Sequence, residues 1–543
     1  MRSKSISAVF MLAALAVPLA AQKFYPDDPL RKEPPPVSVN ELRSRKVNDM
    51  YDLFLHTLGH PGQEQPEPGE GAPIRARSTN TLDEAPDSAW FTNRIGARPM
   101  SLEELTAIPA DQPPPADGAW TIIGAKTEGI TPGFRIRDSR GTVYFVKFDP
   151  LTNPEMTTAA DVIGAFFFRA LGYNVPTNHL VYFHPDQLEI AEDATVPGEG
   201  GRERSLSTED VRAALARVPR RADGRIRAVA SNMIPGKIIG EFRYSGTRSD
   251  DPNDIVPHEY RRELRGLHVF AAWLNHNDSR AINTLDSVVE EDGRRFVRHY
   301  LIDFGAIIGS ASVQPKTARD GNSYFYQFKP ALAQIATLGL YVPAWARADY
   351  VRSDSIGLIN WEAFDAEEWR PNYPNPAFQN RLPDDNFWAA KKVMAFSTEQ
   401  IRAIVRTGQY SDAADEELVV RYLNERRFRI GRKYFRQVLP LDEFRIEGGH
   451  LKFEDLAVKY DIEPPREYAA QWSRFDNRAQ THEPLAGAGA GFTLPAAIAD
   501  APAGSYFAAA ITAPGEKSTS KNVVVYLRKE SSGVQVVGVE RNW

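Results

Sequence analysis

The chain has 543 residues, 42% of them apolar and 25% charged, with a formal net charge of -6 and no cysteine. Such a chain can bury a large core and divides into about two to four domains. The charge, without any Lys/Arg run, speaks against nucleic acid as a partner, and the missing thiol excludes disulfides, thiolate metal sites, a Cys nucleophile and a lipoprotein anchor.

The chain opens with "MRSKSISAVFMLAALAVPLAAQ": Arg2 and Lys4, an apolar run from Ala8 to Ala21, then a polar continuation at Gln22. This is the layout of a secretory signal peptide over residues 1–21, too short for the about 20 apolar residues of a membrane span. Export to the periplasm or beyond is expected, and a large exported protein without disulfides points to a bacterial envelope. No later segment approaches a transmembrane span. Residues 22–117 are Pro-rich. "PGQEQPEPGEGAP" can hold neither a helix nor a central strand, so an irregular surface arm is expected, with one helix over "VNELRSRKVNDMYDLFLHTLG" ending at Gly59. "ADQPPPADG", Ala110 to Gly118, closes the arm.

The character then changes. "WTIIGAKTEGITPGFRIRDSRGTVYFVKF" alternates apolar and polar residues on either side of a "DSRG" turn and predicts strands, and "TTAADVIGAFFFRALGYNVP" predicts a helix stopped by Gly172 and Pro176. From about Asp254 to Phe435 helical patterns dominate, interrupted by "VVEEDGRRFV", a hairpin with Asp292-Gly293 in its turn. From about Leu441 the pattern is β-like again, most clearly in "NVVVYLRKESSGVQVVGVERNW".

Within the helical region, "WLNHNDSRAINTLD", Trp273 to Asp286, crowds amides and carboxylates onto the end of an apolar helix. Alone, the string reads as a helix C-terminus turning into a polar loop, although burying such groups without partners costs several kcal/mol. About twenty residues after Asn283, "YLIDFGAIIG" delivers Asp303, Phe304 and Gly305 at the end of an apolar strand. The order helix, polar loop, hairpin, Asp-Phe-Gly resembles the catalytic core of the protein-kinase-like fold. Its loop pattern H-x-D-x-[K/R]-x-x-N is matched in "HNDSRAIN" by His276, Asp278, Arg280 and Asn283.

The resemblance implies an α+β, two-lobed fold, with a β-rich N-lobe over 118–254 and a helical C-lobe over 255–440, flanked by the arm and by a small β-rich region over 441–543. It also implies ATP as co-substrate and Mg²⁺. Asp278 would accept or orient the acceptor's proton, Arg280 would neutralise charge on the transferring phosphoryl group, and Asn283 and Asp303 would hold the metal through oxygen. Lys147 in "TVYFVKF" would pair the α/β-phosphates, steadied by an acid of the next helix. Asp161 is favoured there over Glu155, which precedes the helix. "IIGAKTEGITPG" offers Gly124, Gly129 and Gly133 without the G-x-G-x-x-G spacing, so a phosphate-covering loop and an ordinary hairpin loop both remain open. "AVASNMIPGK", Ala228 to Lys237, would be the strand and hinge beneath an adenine, or plain core.

The similarity is to atypical bacterial members, the HipA-type and CotH-type kinases, over about residues 118–435. "HNDSRAIN" looks like the NxDxHxxN loops of the HipA-type kinases and "FFFRALGYNVP" like their helix-to-strand corner. Asn277 departs from the family's Arg, which argues against control by a phosphorylated activation loop. No A-P-E follows, which puts a peptide platform in doubt.

Two other motifs fail. "HEYRRELRGLH" has Arg262 where a zinc protease needs His, so His258, Glu259 and His268 read as a solvated helix face. No G-x-S-x-G surrounds any Ser. The expectation is an exported ATP/Mg-dependent phosphotransferase with an unspecified acceptor, protein or small molecule. The alternatives are a pseudokinase-type binding or scaffolding module of the envelope, or an envelope structural protein with a coincidental motif.

Overall fold

The computed structural model describes residues 22–67, 69–108, 112–125, 133–197, 203–327, 336–337, 342–515 and 521–543. The signal-like segment 1–21 and Gly129 lie outside the described residues. The architecture is mixed α+β.

Strands β1 (Trp120–Ala125), β2 (Gly133–Arg137), β3 (Val143–Phe148), β4 (Asn178–Phe183), β5 (Leu188–Pro197), β6 (Glu203–Ser205) and β7 (Ile226–Asn232) form a seven-stranded sheet in the order β4-β7-β3-β2-β1-β5-β6. The alternation seen in the sequence puts Trp120, Ile122, Phe134, Ile136, Tyr144, Val146 and Phe148 into one core. The "DSRG" turn closes because Asp138 Oδ1 accepts the amides of Arg140 and Thr142, each at 2.9 Å.

Helix α1 (Met156–Leu171) follows. The residue before it, Glu155, has φ 72° and no side-chain cap. The cap comes instead from the end of β3, where the Asp149 carboxylate accepts the amides of Thr157 and Thr158 at 2.9 and 2.8 Å. Asp149 lies two residues beyond Lys147, so this cap fixes the strand against the helix that bears Asp161.

From β7 the chain passes through residues 233–236 to β8 (Lys237–Gly240), which joins β9 (Thr284–Glu291) and β10 (Arg294–Leu301) in a three-stranded sheet. The expected hairpin is present: Glu291 pairs Arg294, with Asp292 and Gly293 at φ 50° and 71°. Helices α2 (Arg262–Leu274), α3 (Pro383–Met394), α4 (Thr398–Arg406) and α5 (Ala413–Tyr434) share with α1 the largest core, centred on Phe167, Trp273, Trp388, Phe396 and Tyr422. Among the described residues of 302–375 helical dominance does not hold: apart from a 3₁₀ turn over Ala344–Arg347 and the pair β11 (Val351–Ser353) and β12 (Gly357–Ile359) they are mostly turns and bends, which Asn, Asp, Ser and Pro favour. Beyond it come the hairpin β13 (Leu441–Glu447) and β14 (His450–Asp455), then β15 (Ala469–Asp476), β16 (Thr481–Pro484), β17 (Tyr506–Thr512), β18 (Asn522–Glu530) and β19 (Gly533–Asn542). The last five pair in the order β16-β15-β17-β18-β19, so the β-rich tail is as expected.

Two expectations are overturned. Residues 22–108 are not a surface arm. Trp90, Phe91, Ile95, Met100 and Leu105 lie in the main core, and Phe24 is buried against Phe475 and Tyr526. The expected long helix shrinks to Asp49–Phe54 with a π-turn over Leu55–Gly59. The stretch before it runs extended: Val39 N donates to Arg295 O and Arg45 N to Ile239 O, both at 2.8 Å, while Val39 and Leu42 pack on Ile239, Val288 and Val297. Pairing with open sheet edges outweighs helix propensity there.

Nor is there a solvated face at His258, Glu259 and His268, which are 4%, 3% and 2% exposed. His258 Nε2 meets Asp254 Oδ2 at 2.8 Å, and Glu259 accepts the amides of Gly246 and Gln63 at 2.7 and 3.1 Å. Next to them Arg262 pairs Asp83, Asp384 and Asp385 at 2.6, 3.2 and 2.9 Å. Burial holds His268 well below the usual histidine range, hence neutral. The helix is charged yet interior because distant segments bring its counter-charges.

Candidate active site

Lys147 stands on β3 opposite Gly133 of β2 and Val229 of β7. Its Nζ is 2.9 Å from Asp161 Oδ2 and 2.9 Å from Asp303 Oδ1. Burial alone would lower this ammonium's pKa, but the two carboxylates override it and raise the group above lysine's ordinary range. Asp161, 1% exposed, uses its other oxygen to accept from Asn178 Nδ2 at 3.0 Å and from the Phe304 amide at 3.1 Å. Glu155, the rival acid, instead accepts the Ser411 amide at 2.9 Å.

Asp303 sits at φ 60°, a left-handed conformation that strains a non-glycine residue by about 1–2 kcal/mol. Helix α1 holds it there. Besides the Asp161 bond, Gly164 lets the helix touch the Asp-Phe-Gly segment, since a Cβ at 164 would lie 2.4 Å from Phe304 Cβ. Phe304 is fully buried and stacks on Phe168 with centroids 4.9 Å apart, and both rings lean on His276. Burial pushes His276 down to about 4, so its ring is neutral near pH 7.

Helix α2 ends at Asn275, which takes the left-handed cap conformation at φ 54°. The loop then turns Asp278 back on itself: Asn283 Nδ2 donates to Asp278 Oδ2 at 2.9 Å and to its backbone oxygen at 2.8 Å. Asn372 Nδ2 donates to Oδ1 at 2.9 Å, and Arg280 pairs the same oxygen. Burial would raise the Asp278 carboxyl, but Arg280, His276 and Asn283 hold it below the ordinary carboxylate range. The Ile302 amide donates to Asn283 O at 3.0 Å, which sets the loop directly beside Asp303. Two side-chain clusters, Lys147–Asp161–Asp303 and Asp278–Arg280–Asn283, are thus joined into one linked group through the Ile302–Asn283 backbone bond.

Sequence reasoning missed three contributors. Asn372, in "NYPNP", holds Asp278. Lys316 reaches Asn277 from beyond the Asp-Phe-Gly segment. Asp49, from the short helix 49–54, pairs Arg280 and accepts from Tyr373 Oη at 3.1 Å, while His56 Nδ1 meets Pro374 O at 3.0 Å. Only the crowding of Asn residues around 372–375 hinted at any of this.

Gly124 lies in β1 at an irregular pairing step, where the absence of a Cβ admits the Arg135 guanidinium. Met233, in the link between the two sheets, is 42% exposed. A 240 Å³ cavity lined by Lys23, Arg75, Asp83 and Arg262 lies elsewhere and includes none of the linked group.

Asn283 and Asp303 fit a hard cation. The Asn283 amide nitrogen is committed to Asp278, which turns its carbonyl oxygen the other way, and the Asp303 side chain is 30% exposed. Among the described residues no three His, Asp or Glu side chains converge as metal ligands, so a Mg²⁺ here would complete its shell with phosphate and water.

No known family model matches the chain, and no curated protein does. Among solved structures it is similar to the Helicobacter pylori proinflammatory kinase CtkA, at 12% identity and a TM-score of 0.29, over 55% of this chain and 90% of that one. At that score the likeness carries no argument about mechanism.

Proposed function

We propose that the protein is an exported phosphotransferase with a two-lobed, kinase-like fold, using ATP and Mg²⁺. The observation that carries this reading is the Lys147–Asp303 contact, made across 156 residues of sequence, beside an Asp278 tied to Asn283. These residue types suit phosphoryl transfer, which asks for positioning and charge stabilisation rather than covalent help. Lys147 would meet the nucleotide phosphates, and Arg280 the transferring group. Asn283 and Asp303 would hold Mg²⁺, which when bound neutralises phosphate charge. The bond from the γ-phosphorus to the bridging oxygen breaks to release ADP, a bond forms to the acceptor oxygen, and the acceptor's proton passes to Asp278 and on to water. An Asp278 carboxyl held low is a weak base, suited to orienting the hydroxyl and taking the proton late.

A second reading, a nucleotide-binding module without transfer, is favoured by one contact: Asp49 already occupies Arg280. The two are separated by radiolabelled ATP turnover with purified mature protein beside Asp278→Asn. The phosphotransferase reading expects the variant to bind Mg-ATP like wild type and to lose turnover by at least about 100-fold. Wild type that binds nucleotide but transfers nothing to itself, to water or to an envelope extract supports the binding module. Equal turnover in both proteins removes Asp278 from the mechanism.

A further inference from the structure

Lys316 is 2% exposed, and its hydrogen bonds go to carbonyl oxygens, Asn277 Oδ1 and Ala306 O, the latter at 3.2 Å. A buried ammonium on neutral acceptors is costly, and the proposed chemistry makes no use of it. What it touches leads to Asp278. Asn277 Nδ2 donates to Asn372 Oδ1 at 2.8 Å, and Asn372 Nδ2 donates to Asp278 Oδ1 at 2.9 Å. The backbone doubles the middle link, since the Asn372 amide donates to Asn277 O at 2.8 Å.

The polarity of this chain is set at its ends. An ammonium has only donors, so Asn277 must turn its oxygen to Lys316 and its nitrogen to Asn372. An ionised carboxylate has only acceptors, so Asn372 must turn its nitrogen to Asp278. Flipping either amide sets donor against donor or oxygen against oxygen. Asn277 also donates to Asp320 Oδ1 at 2.8 Å, and Asp320 Oδ2 accepts from Thr317 N and Oγ1 at 2.7 and 2.8 Å, which ties the segment after Asp-Phe-Gly into the same chain. Cooperative polarisation along such a chain strengthens each link.

We propose that Asn372 and Lys316 are positioning residues for the phosphotransferase, the last link and the far end of a polarised hydrogen-bond chain that orients Asp278 and couples it to the segment after Asp-Phe-Gly. Asn372 acts through the Asp278 carboxylate it orients, and Lys316 acts through Asn277 and Asn372. The inference rests on the phosphotransferase reading for its kinetic test.

Lys316→Met, Asn372→Ala and the double variant are compared with wild type in full-length mature protein. Each single variant should lower kcat by at least about tenfold while KM for ATP stays within about twofold, because the nucleotide is held by other residues. The double variant should be no slower than about the slower single, because cutting one chain twice adds little. An unchanged kcat, a parallel rise in KM, or multiplying effects would overturn the proposal. Should Lys316→Met fail to fold, Asn372→Ala alone carries the kcat-against-KM comparison.

Wild type without any turnover would mark failure of the phosphotransferase reading instead. The chain is then judged by deuterium uptake of the peptide spanning residues 275–283 in Asn372→Ala. Faster uptake supports the chain, and unchanged uptake overturns it.

Discussion

Asp161→Asn keeps the shape of the side chain and removes its charge. Every partner of this carboxylate is a donor: Lys147 Nζ at 2.9 Å on one oxygen, Asn178 Nδ2 at 3.0 Å and the Phe304 amide at 3.1 Å on the other. An amide offers one acceptor oxygen, so whichever way it turns, its NH₂ group meets a donor. The site is 1% exposed, and water cannot relieve the clash. Breaking a buried pair by removing one partner costs about 3–5 kcal/mol. An orphaned buried donor costs about 1–3 kcal/mol more. Asp303 still holds Lys147, and terms that share partners do not add, so the expected loss is about 3–5 kcal/mol.

Asp303→Asn removes a carboxylate whose side chain is 30% exposed and replaceable by water, and should cost only about 1 kcal/mol. Urea unfolding at neutral pH compares the two variants with wild type through the midpoint at unchanged slope. An Asp161→Asn loss below about 1 kcal/mol, or the reverse ranking, would refute the reasoning that Asp161 joins the strand, the helix and the Asp-Phe-Gly segment.

Asp303→Ala should leave weak, metal-independent ATP binding and remove the gain from Mg²⁺. Calorimetry with and without Mg²⁺ checks this, and an unchanged metal dependence would sink the ligand assignment. His276 is driven down from the usual 6.5 to about 4 by burial, so between those values the unfolded chain takes up a proton that the folded chain refuses. Stability from this group is therefore present above pH 6.5 and falls with pH through that window, by about 1.4 kcal/mol per unit and about 3 kcal/mol in all. His276→Asn removes that loss, so its stability gap from wild type should narrow by about 3 kcal/mol from pH 7 to pH 4, and parallel curves would contradict it. Asp49→Ala frees Arg280 from a partly exposed ion pair worth up to about 1 kcal/mol, so transfer to an added acceptor should rise by up to about fivefold. An unchanged or lower rate under saturating ATP argues that Asp49 does not compete at Arg280.

Local chemistry was legible in the sequence alone. Alternation predicted the strands around Lys147, Asp292-Gly293 predicted the hairpin, and the resemblance to the kinase-like pattern singled out Asp278, Asn283 and Asp303, of which Asn283 bonds Asp278 directly and meets the Asp303 segment through the Ile302 amide. Preference for Asp161 over Glu155 followed from helix periodicity, because only Asp161 lies within the helix. Each of these depends on interactions a few residues long, or on a pattern carried whole by the chain. What only the tertiary structure decided are the partners at long sequence separation. The arm's extended run exists because open sheet edges accept it, the charges of Arg262 and Arg265 are interior because Asp384 and Asp385 come from another helix, and Asp278 is oriented by Asn372, 94 residues away. A charged or amide side chain reads alike in sequence whether water or a distant counter-group satisfies it, and folding alone makes that choice.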